Sequence, residues 1–189
     1  MQNLIVIYGC HGAGKTTLAK NIIQSDGEFQ EYSNEIGKYT VSQNKKYVAC
    51  GKYTIKCGGA DSLKSTDDYF RMIDFLLENY PNSTVVIEGI FLSALFTKPL
   101  KQFLKYKYEK DVNITQVFLY TTVGTSFERV FGRNNREPKL KNIENKQKSV
   151  LRTFKKFSEL GEFNNFVINT EGKTADEVYD DFRKQYKAW

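Results

Sequence analysis

The segment Gly9-Cys10-His11-Gly12-Ala13-Gly14-Lys15-Thr16 fits the pattern G-x-x-x-x-G-K-[ST], and its flanks restrict what this chain can fold into. An apolar run, Leu4-Ile5-Val6-Ile7-Tyr8, leads into it, and a segment with helical spacing (Leu18, Ala19, Ile22, Ile23) follows. Such a continuous apolar run reads as a parallel strand covered on both faces, so it needs further layers above and below it. The glycines allow successive backbone N–H groups to turn inward around a polyphosphate, and the helix N-terminus adds positive potential there. Lys15 is then expected to reach the β- and γ-phosphates and the Thr16 hydroxyl to ligate Mg²⁺, with Gly9, Gly12, Ala13, Gly14 and Thr17 completing the cradle. A nucleoside-triphosphate site follows, with ATP and Mg²⁺ as its cofactors.

Downstream, apolar strands alternate with helices. The spacing predicts strands over Asn3 to Tyr8, Thr84 to Glu88, Ile114 to Tyr120 and Asn165 to Ile168. Helices are predicted over Lys15 to about Ser25, Thr66 to Asn79, about Leu92 to Tyr106 (broken or started near Pro99), about Thr125 to Phe131, Leu140 to Glu159, and from Thr174 onward. The long Leu140 to Glu159 helix should bury Ile143, Val150, Leu151, Phe154 and Phe157, and the last helix Val178, Phe182 and Tyr186. Thr174-Ala175-Asp176-Glu177 has the form of a capping box. Between about 29 and 61 lies a tyrosine-rich region in which Tyr39-Thr40-Val41 and Tyr47-Val48-Ala49-Cys50 flank Asn44-Lys45-Lys46 as a hairpin. The expected architecture is one α/β domain over 1–189: three layers, a central parallel sheet, and a small β-hairpin insert at about 29–61.

Forty per cent hydrophobic and 26% charged residues over 189 positions suit one soluble domain with a full core. No apolar run approaches the roughly 20 residues of a membrane span, and a first strand at residue 3 leaves no room for a signal peptide. Cys10, Cys50 and Cys57 form an odd set without zinc-type spacing, so a reduced, cytoplasmic setting is expected. His11 is the only histidine, which argues against histidine metal sites and triads and leaves it a spacer in the loop. The net charge of +6 is concentrated: from Arg129 to Lys156 ten basic residues face only Glu137 and Glu144, a balance of +8. So one-sided a segment suggests a polyanionic partner, either clustered phosphates or a nucleic-acid backbone. Lys98, Lys101, Lys105, Lys107 and Lys110 read instead as a solvated helix face.

Three groups of residues could carry chemistry. Glu88 ends Val85-Val86-Ile87-Glu88 at the carboxyl end of a central strand, where α/β folds place ligands. It could hold Mg²⁺ or orient an acceptor; capping of a neighbouring backbone group is the alternative. Asp61 follows Gly58-Gly59 and is the candidate base for the attacking hydroxyl, a turn aspartate or N-cap being the alternative. Arg129, Arg133 and Arg136 could close over the transferring phosphate as a lid at about 129–139, though surface ion pairs would use the same residues. Tyr32, Tyr39, Tyr47 and Tyr53 could stack on a base or simply pack. A guanine-binding Asn-Lys-x-Asp is missing, since Asn44-Lys45 and Asn145-Lys146 continue as Lys46 and Gln147, which disfavours a GTPase.

The order phosphate loop, strand ending in Val-Ile-Glu-Gly, strand followed by Thr122-x-x-x-x-Phe127-Glu128-Arg129-Val130-x-x-Arg133, then basic helix resembles the nucleotide and polynucleotide kinase group of P-loop proteins. The resemblance implies a P-loop kinase fold, with the lid at Arg129, Arg133 and Arg136. The insert running from Gly51-Lys52-Tyr53 to Cys57-Gly58-Gly59-Ala60-Asp61 is more similar to small phage kinases, among them those that phosphorylate 5-hydroxymethyluracil bases within DNA. That likeness implies an ATP-dependent kinase acting on a hydroxymethylated pyrimidine in DNA, in a host cytoplasm if phage-encoded. A deoxynucleoside monophosphate kinase is the alternative reading, and a polynucleotide 5′-hydroxyl kinase a further one.

Overall fold

The structure, a computed structural model, describes residues 1–54, 59–60, 63–89, 92, 95–134 and 137–187. The strands are β1 (Gln2–Gly9), β2 (Phe29–Ser33), β3 (Lys38–Ser42), β4 (Tyr47–Cys50), β5 (Thr84–Glu88), β6 (Val112–Tyr120) and β7 (Asn164–Asn169). The helices are α1 (Lys15–Gln24), α2 (Thr66–Asn79), α3 (Thr97–Glu109), α4 (Val123–Asn134), α5 (Leu140–Leu160) and α6 (Ala175–Lys187).

One sheet runs in the order β2-β3-β4-β5-β1-β6-β7. β1 is central and parallel to both β5 and β6, and β4 and β7 extend the parallel run on either side. Its side chains alternate between two cores. Leu4, Val6 and Tyr8 face the layer of α2, α3 and α5, while Ile5 and Ile7 face α1 and α6. Both faces are dry, which is why the strand is apolar throughout. Tyr8 stacks on Phe118 at 4.4 Å with the rings 5° apart, joining β1 to β6 beneath α5.

The hairpin forms at the expected residues, β3 pairing antiparallel with β4. It does not stand apart as an insert: β4 pairs parallel with β5 through Tyr47↔Thr84 and Ala49↔Val86, so the sheet is mixed. The reason is burial, since Val48, Ala49 and Cys50 are fully enclosed and need cover on both faces. Asp26 shapes the hairpin turn by accepting from Ser42 Oγ at 2.6 Å and from the Asn44 and Lys46 amides at 3.1 Å.

Helix limits follow local chemistry. Ser65 caps α2 by accepting from the Asp68 amide at 3.1 Å. The capping box closes at α6: the Thr174 amide donates to Glu177 at 2.8 Å and the Glu177 amide to Thr174 Oγ1 at 3.3 Å. α3 starts at Thr97, close to the Pro99 where a break or start is expected, with that proline tolerated inside its first turn. α4 starts earlier than its pattern suggests, at Val123. The Glu171 carboxylate accepts from Thr121 Oγ1 at 2.6 Å and from the Thr122 amide at 2.9 Å, fixing that end. These bonds hold the Glu171 carboxyl down at about 2, Thr121 contributing most. Leu151 is 45% exposed rather than buried, because the stripe of α5 runs through Ile143, Val150, Thr153 and Phe157. Among the described residues no helix is long and apolar enough to cross a membrane.

Candidate active site

The chain leaves β1 at Gly9, passes β5 and β6 on either side, and turns into α1. Gly14 is the N-cap of α1 with φ 95°, and Gly12 has φ 74°; both lie in the left-handed region that bulkier residues avoid. A side chain at Gly12 would also meet the Ser126 carbonyl at 2.7 Å, so α4 rides directly on the loop. The Lys15 ammonium folds over the loop and donates to the Cys10 carbonyl at 3.0 Å. Ile7 pairs with Glu88 across β1 and β5, which brings the Glu88 carboxylate to the head of the loop. There Thr16 Oγ1 donates to Glu88 Oε1 at 3.1 Å. Glu88 is only 3% exposed.

These groups open into a cleft of about 930 Å³, lined by residues of the loop and by Tyr53, Thr54, Glu88, Arg129, Arg133, Thr170 and Lys173. Among the described residues, Lys15, Lys20, Arg129, Arg133 and Lys173 line it against one carboxylate, that of Glu88. The charge suits a polyanionic ligand, and the size suits a nucleotide. Thr16 and Glu88 offer oxygen donors only, as Mg²⁺ prefers. Among the described residues no group of three or more acidic, histidine or cysteine side chains could cage a metal. One carboxylate and one hydroxyl fit an ion that keeps several waters and shares phosphate oxygens.

The predicted arginines separate. Arg129 is half-buried and donates to the Gly12 carbonyl at 3.3 Å, to Thr170 Oγ1 at 3.2 Å and to the Thr170 carbonyl at 2.8 Å. It ties α4, the phosphate loop and the end of β7 together at the cleft wall. Arg133 is exposed one turn further along the same wall. Arg136 and Asp61 lie outside the described residues. Among the tyrosines, Tyr39 packs against Tyr32, Phe75 and Tyr80 at the far edge of the sheet. Tyr53 lines the cleft, fully buried, its hydroxyl donating to the Cys50 carbonyl at 3.2 Å. His11 lies exposed in the loop.

Gly59 also stands at the site and Lys146 lies near Lys15, and the sequence gives little sign of either placement. Gly59 has φ +88°, and a Cβ on it would overlap Glu88 Oε1 and lie 3.5 Å from Thr16 Oγ1. The Lys52 amide donates to the Gly59 carbonyl at 3.1 Å, holding that backbone against the pair. Gly59→Ala is therefore expected to lower the unfolding free energy by about 1–3 kcal/mol, measured by chemical denaturation. Wild-type stability in that variant would mean that the backbone at Gly59 withdraws from Glu88 without cost. Lys146 is half-buried, and its ammonium loses proton affinity through burial and through repulsion from Lys15.

A family model described as 5-hmdU DNA kinase matches residues 1–179. A 5-hmdU DNA kinase of Bacillus phage SP10 is 29% identical over 164 residues, 84% of this chain. The chain spans about a quarter of that relative's length (25%). Among solved structures, a gluconokinase from Sinorhizobium meliloti 1021 superposes with TM-score 0.54 at 13% identity, covering 98% of this chain and 92% of its own. A deoxyadenosine kinase from M. mycoides with bound dCTP gives TM-score 0.52 at 12% identity, covering 98% and 100%. The two structures share the P-loop kinase fold with this chain. The match over residues 1–179 takes in the phosphate loop, Glu88 and both described arginines, and the chain belongs to the 5-hmdU DNA kinase family.

Proposed function

We propose that this chain is an ATP-dependent kinase that transfers the γ-phosphate to the hydroxymethyl oxygen of a hydroxymethylated pyrimidine base in DNA. Family membership supports the acceptor class. The observation that carries the chemistry is the Thr16–Glu88 pair, 3.1 Å apart at the head of a cationic cleft. In this reading the hydroxymethyl oxygen bonds to the γ-phosphorus, the bond to the β–γ bridging oxygen breaks, and ADP leaves. The hydroxyl proton passes to Asp61. The loop amides and the Lys15 ammonium hold the phosphates and offset the charge that develops on them. Arg133 approaches from the α4 side, while Arg129 keeps the loop in position. Thr16 and Glu88 would hold Mg²⁺, which would supply further neutralisation of phosphate charge.

The test is transfer of labelled γ-phosphate to duplex DNA containing 5-hydroxymethyluracil, to the same duplex with thymine, to 5′-hydroxyl ends, and to deoxynucleoside monophosphates. Label on the hydroxymethylated duplex alone is expected. Label on a free monophosphate instead would overturn the DNA reading in favour of a mononucleotide kinase.

The backbone grip is assigned to the solvent face of α5, where Lys141, Lys148, Arg152, Lys155 and Lys156 are exposed. Each phosphate they neutralise is expected to contribute a slope of about −0.9 in log affinity against log salt. Reversing charge at Lys148, Arg152 and Lys155 together should flatten the slope by up to about 3 and leave ATP affinity unchanged, with DNA binding measured across a salt series. A slope equal to the wild type would remove α5 from the DNA contact.

A further inference from the structure

We propose that Lys146 is a catalytic residue of the phosphate site, its ammonium contacting the terminal phosphate of the bound triphosphate together with Lys15. The inference rests on the nucleotide site proposed above and adds a ligand to it from a different element.

Position in α5 is the first ground. Ile143, Val150, Thr153 and Phe157 form the buried stripe of this helix, at 2%, 5%, 4% and 0% exposure. Lys146 follows Ile143 by three residues and precedes Val150 by four, so it occupies the same stripe. The other lysines of the helix that define its basic character, such as Lys141 and Lys148, lie on the exposed side. A lysine in an inward stripe requires something polar to meet.

What it meets is set by the next residue. Gln147 donates its amide to the Thr121 carbonyl at 2.6 Å, just past the end of β6. Gln147 and Cys10 line the same small apolar pocket, and the Cys10 carbonyl is the acceptor for Lys15. This turn of α5 is therefore seated on the carboxyl ends of the strands, beside the phosphate loop. Burial lowers the proton affinity of the Lys146 ammonium, and repulsion from Lys15 adds to that cost. None of the ion pairs among the described residues includes Lys146. Repulsion between two neighbouring cations is relieved when an anion lies between them, and a terminal phosphate is the anion this cleft is built to take.

Calorimetric titration of the full chain with Mg-ATP and Mg-ADP, alongside turnover, tests the assignment in Lys146→Met and Lys146→Arg. Methionine keeps the length and apolar stem of the side chain and removes its charge. Lys146→Met is expected to lose about 10-fold or more in ATP affinity and about 10²-fold in turnover, with ADP affinity within about twofold of the wild type. Lys146→Arg should recover most of both losses, and the Met variant should melt at or above the wild-type temperature. A purely structural lysine predicts the opposite: methionine tolerated, with ATP affinity and turnover unchanged. That outcome would overturn the proposal, as would equal losses for ATP and ADP or a failure of arginine to rescue. A wild-type chain that binds no ATP would instead overturn the nucleotide site itself, and this inference with it.

Discussion

Lys15→Ala is expected to lower phosphoryl transfer by about 10³-fold or more while leaving the protein folded. The ammonium makes one described hydrogen bond, to the Cys10 carbonyl at 3.0 Å, and that carbonyl also accepts from the Ala13 amide at 3.4 Å. Its loss therefore leaves no orphaned acceptor. α1 is held by Leu18, Ala19, Ile22 and Ile23, all at 1% exposure or less, and none of these contacts passes through Lys15. Alanine suits a helix N-terminal turn, and removing Lys15 also relieves its repulsion with Lys146. Stability should stay within about 1 kcal/mol of the wild type or rise slightly. Turnover with labelled ATP and a thermal melt on the same preparation check both halves. Turnover within tenfold of the wild type in a folded variant would remove Lys15 from the phosphate site.

The parts of this fold that were readable in the sequence are those whose causes lie within a few residues. β1 and the loop were legible because one apolar run, two left-handed glycines and one helical stripe sit side by side. α2 was legible from end to end, since Ser65 caps it and its apolar positions repeat at helical spacing. The β3–β4 hairpin was legible too, but its place was not. β4 joins β5 only after α2 has carried the chain back, and nothing in residues 47–50 states which strand they will meet. The early start of α4 depends on Glu171, some fifty residues away, reaching back to Thr121 and Thr122.

Local spacing was least informative about the arginines. Arg129 and Arg133 share a helix face, yet Arg129 bonds to the carbonyls of Gly12 and Thr170, and Arg133 lines the cleft one turn further on. Those carbonyl acceptors carry no side-chain signature. Lys146 was obscured for another reason. Counted with nine other cations it looks like part of a charged surface, whereas its register with Ile143 and Val150 marks it as inward-facing. Charge totals average over a helix, and only the angular position separates a grip on solvent-side phosphates from a group inside the site.

Glu88→Gln is expected to lower transfer by about 10²-fold or more without loss of stability. Glutamine keeps the shape, and its amide oxygen can still accept from Thr16 Oγ1, so the 3.1 Å contact survives in kind. What disappears is a charge that is 3% exposed and costly to bury, and its removal should leave the unfolding free energy equal or higher. A capping role for Glu88 at the strand end predicts the reverse, lost stability with transfer retained. Titrating Mg²⁺ into the variant then divides the two chemical roles. If Glu88 holds the metal, the variant should need a higher Mg²⁺ concentration to reach half its activity, and excess Mg²⁺ should restore part of the turnover. If Glu88 takes the hydroxyl proton, added Mg²⁺ cannot restore the missing base, and the half-saturating concentration should stay where it is in the wild type. Recovery by Mg²⁺ would leave the proton to Asp61, and Asp61→Asn in the same assay should then lose turnover at every Mg²⁺ concentration while binding ATP as before.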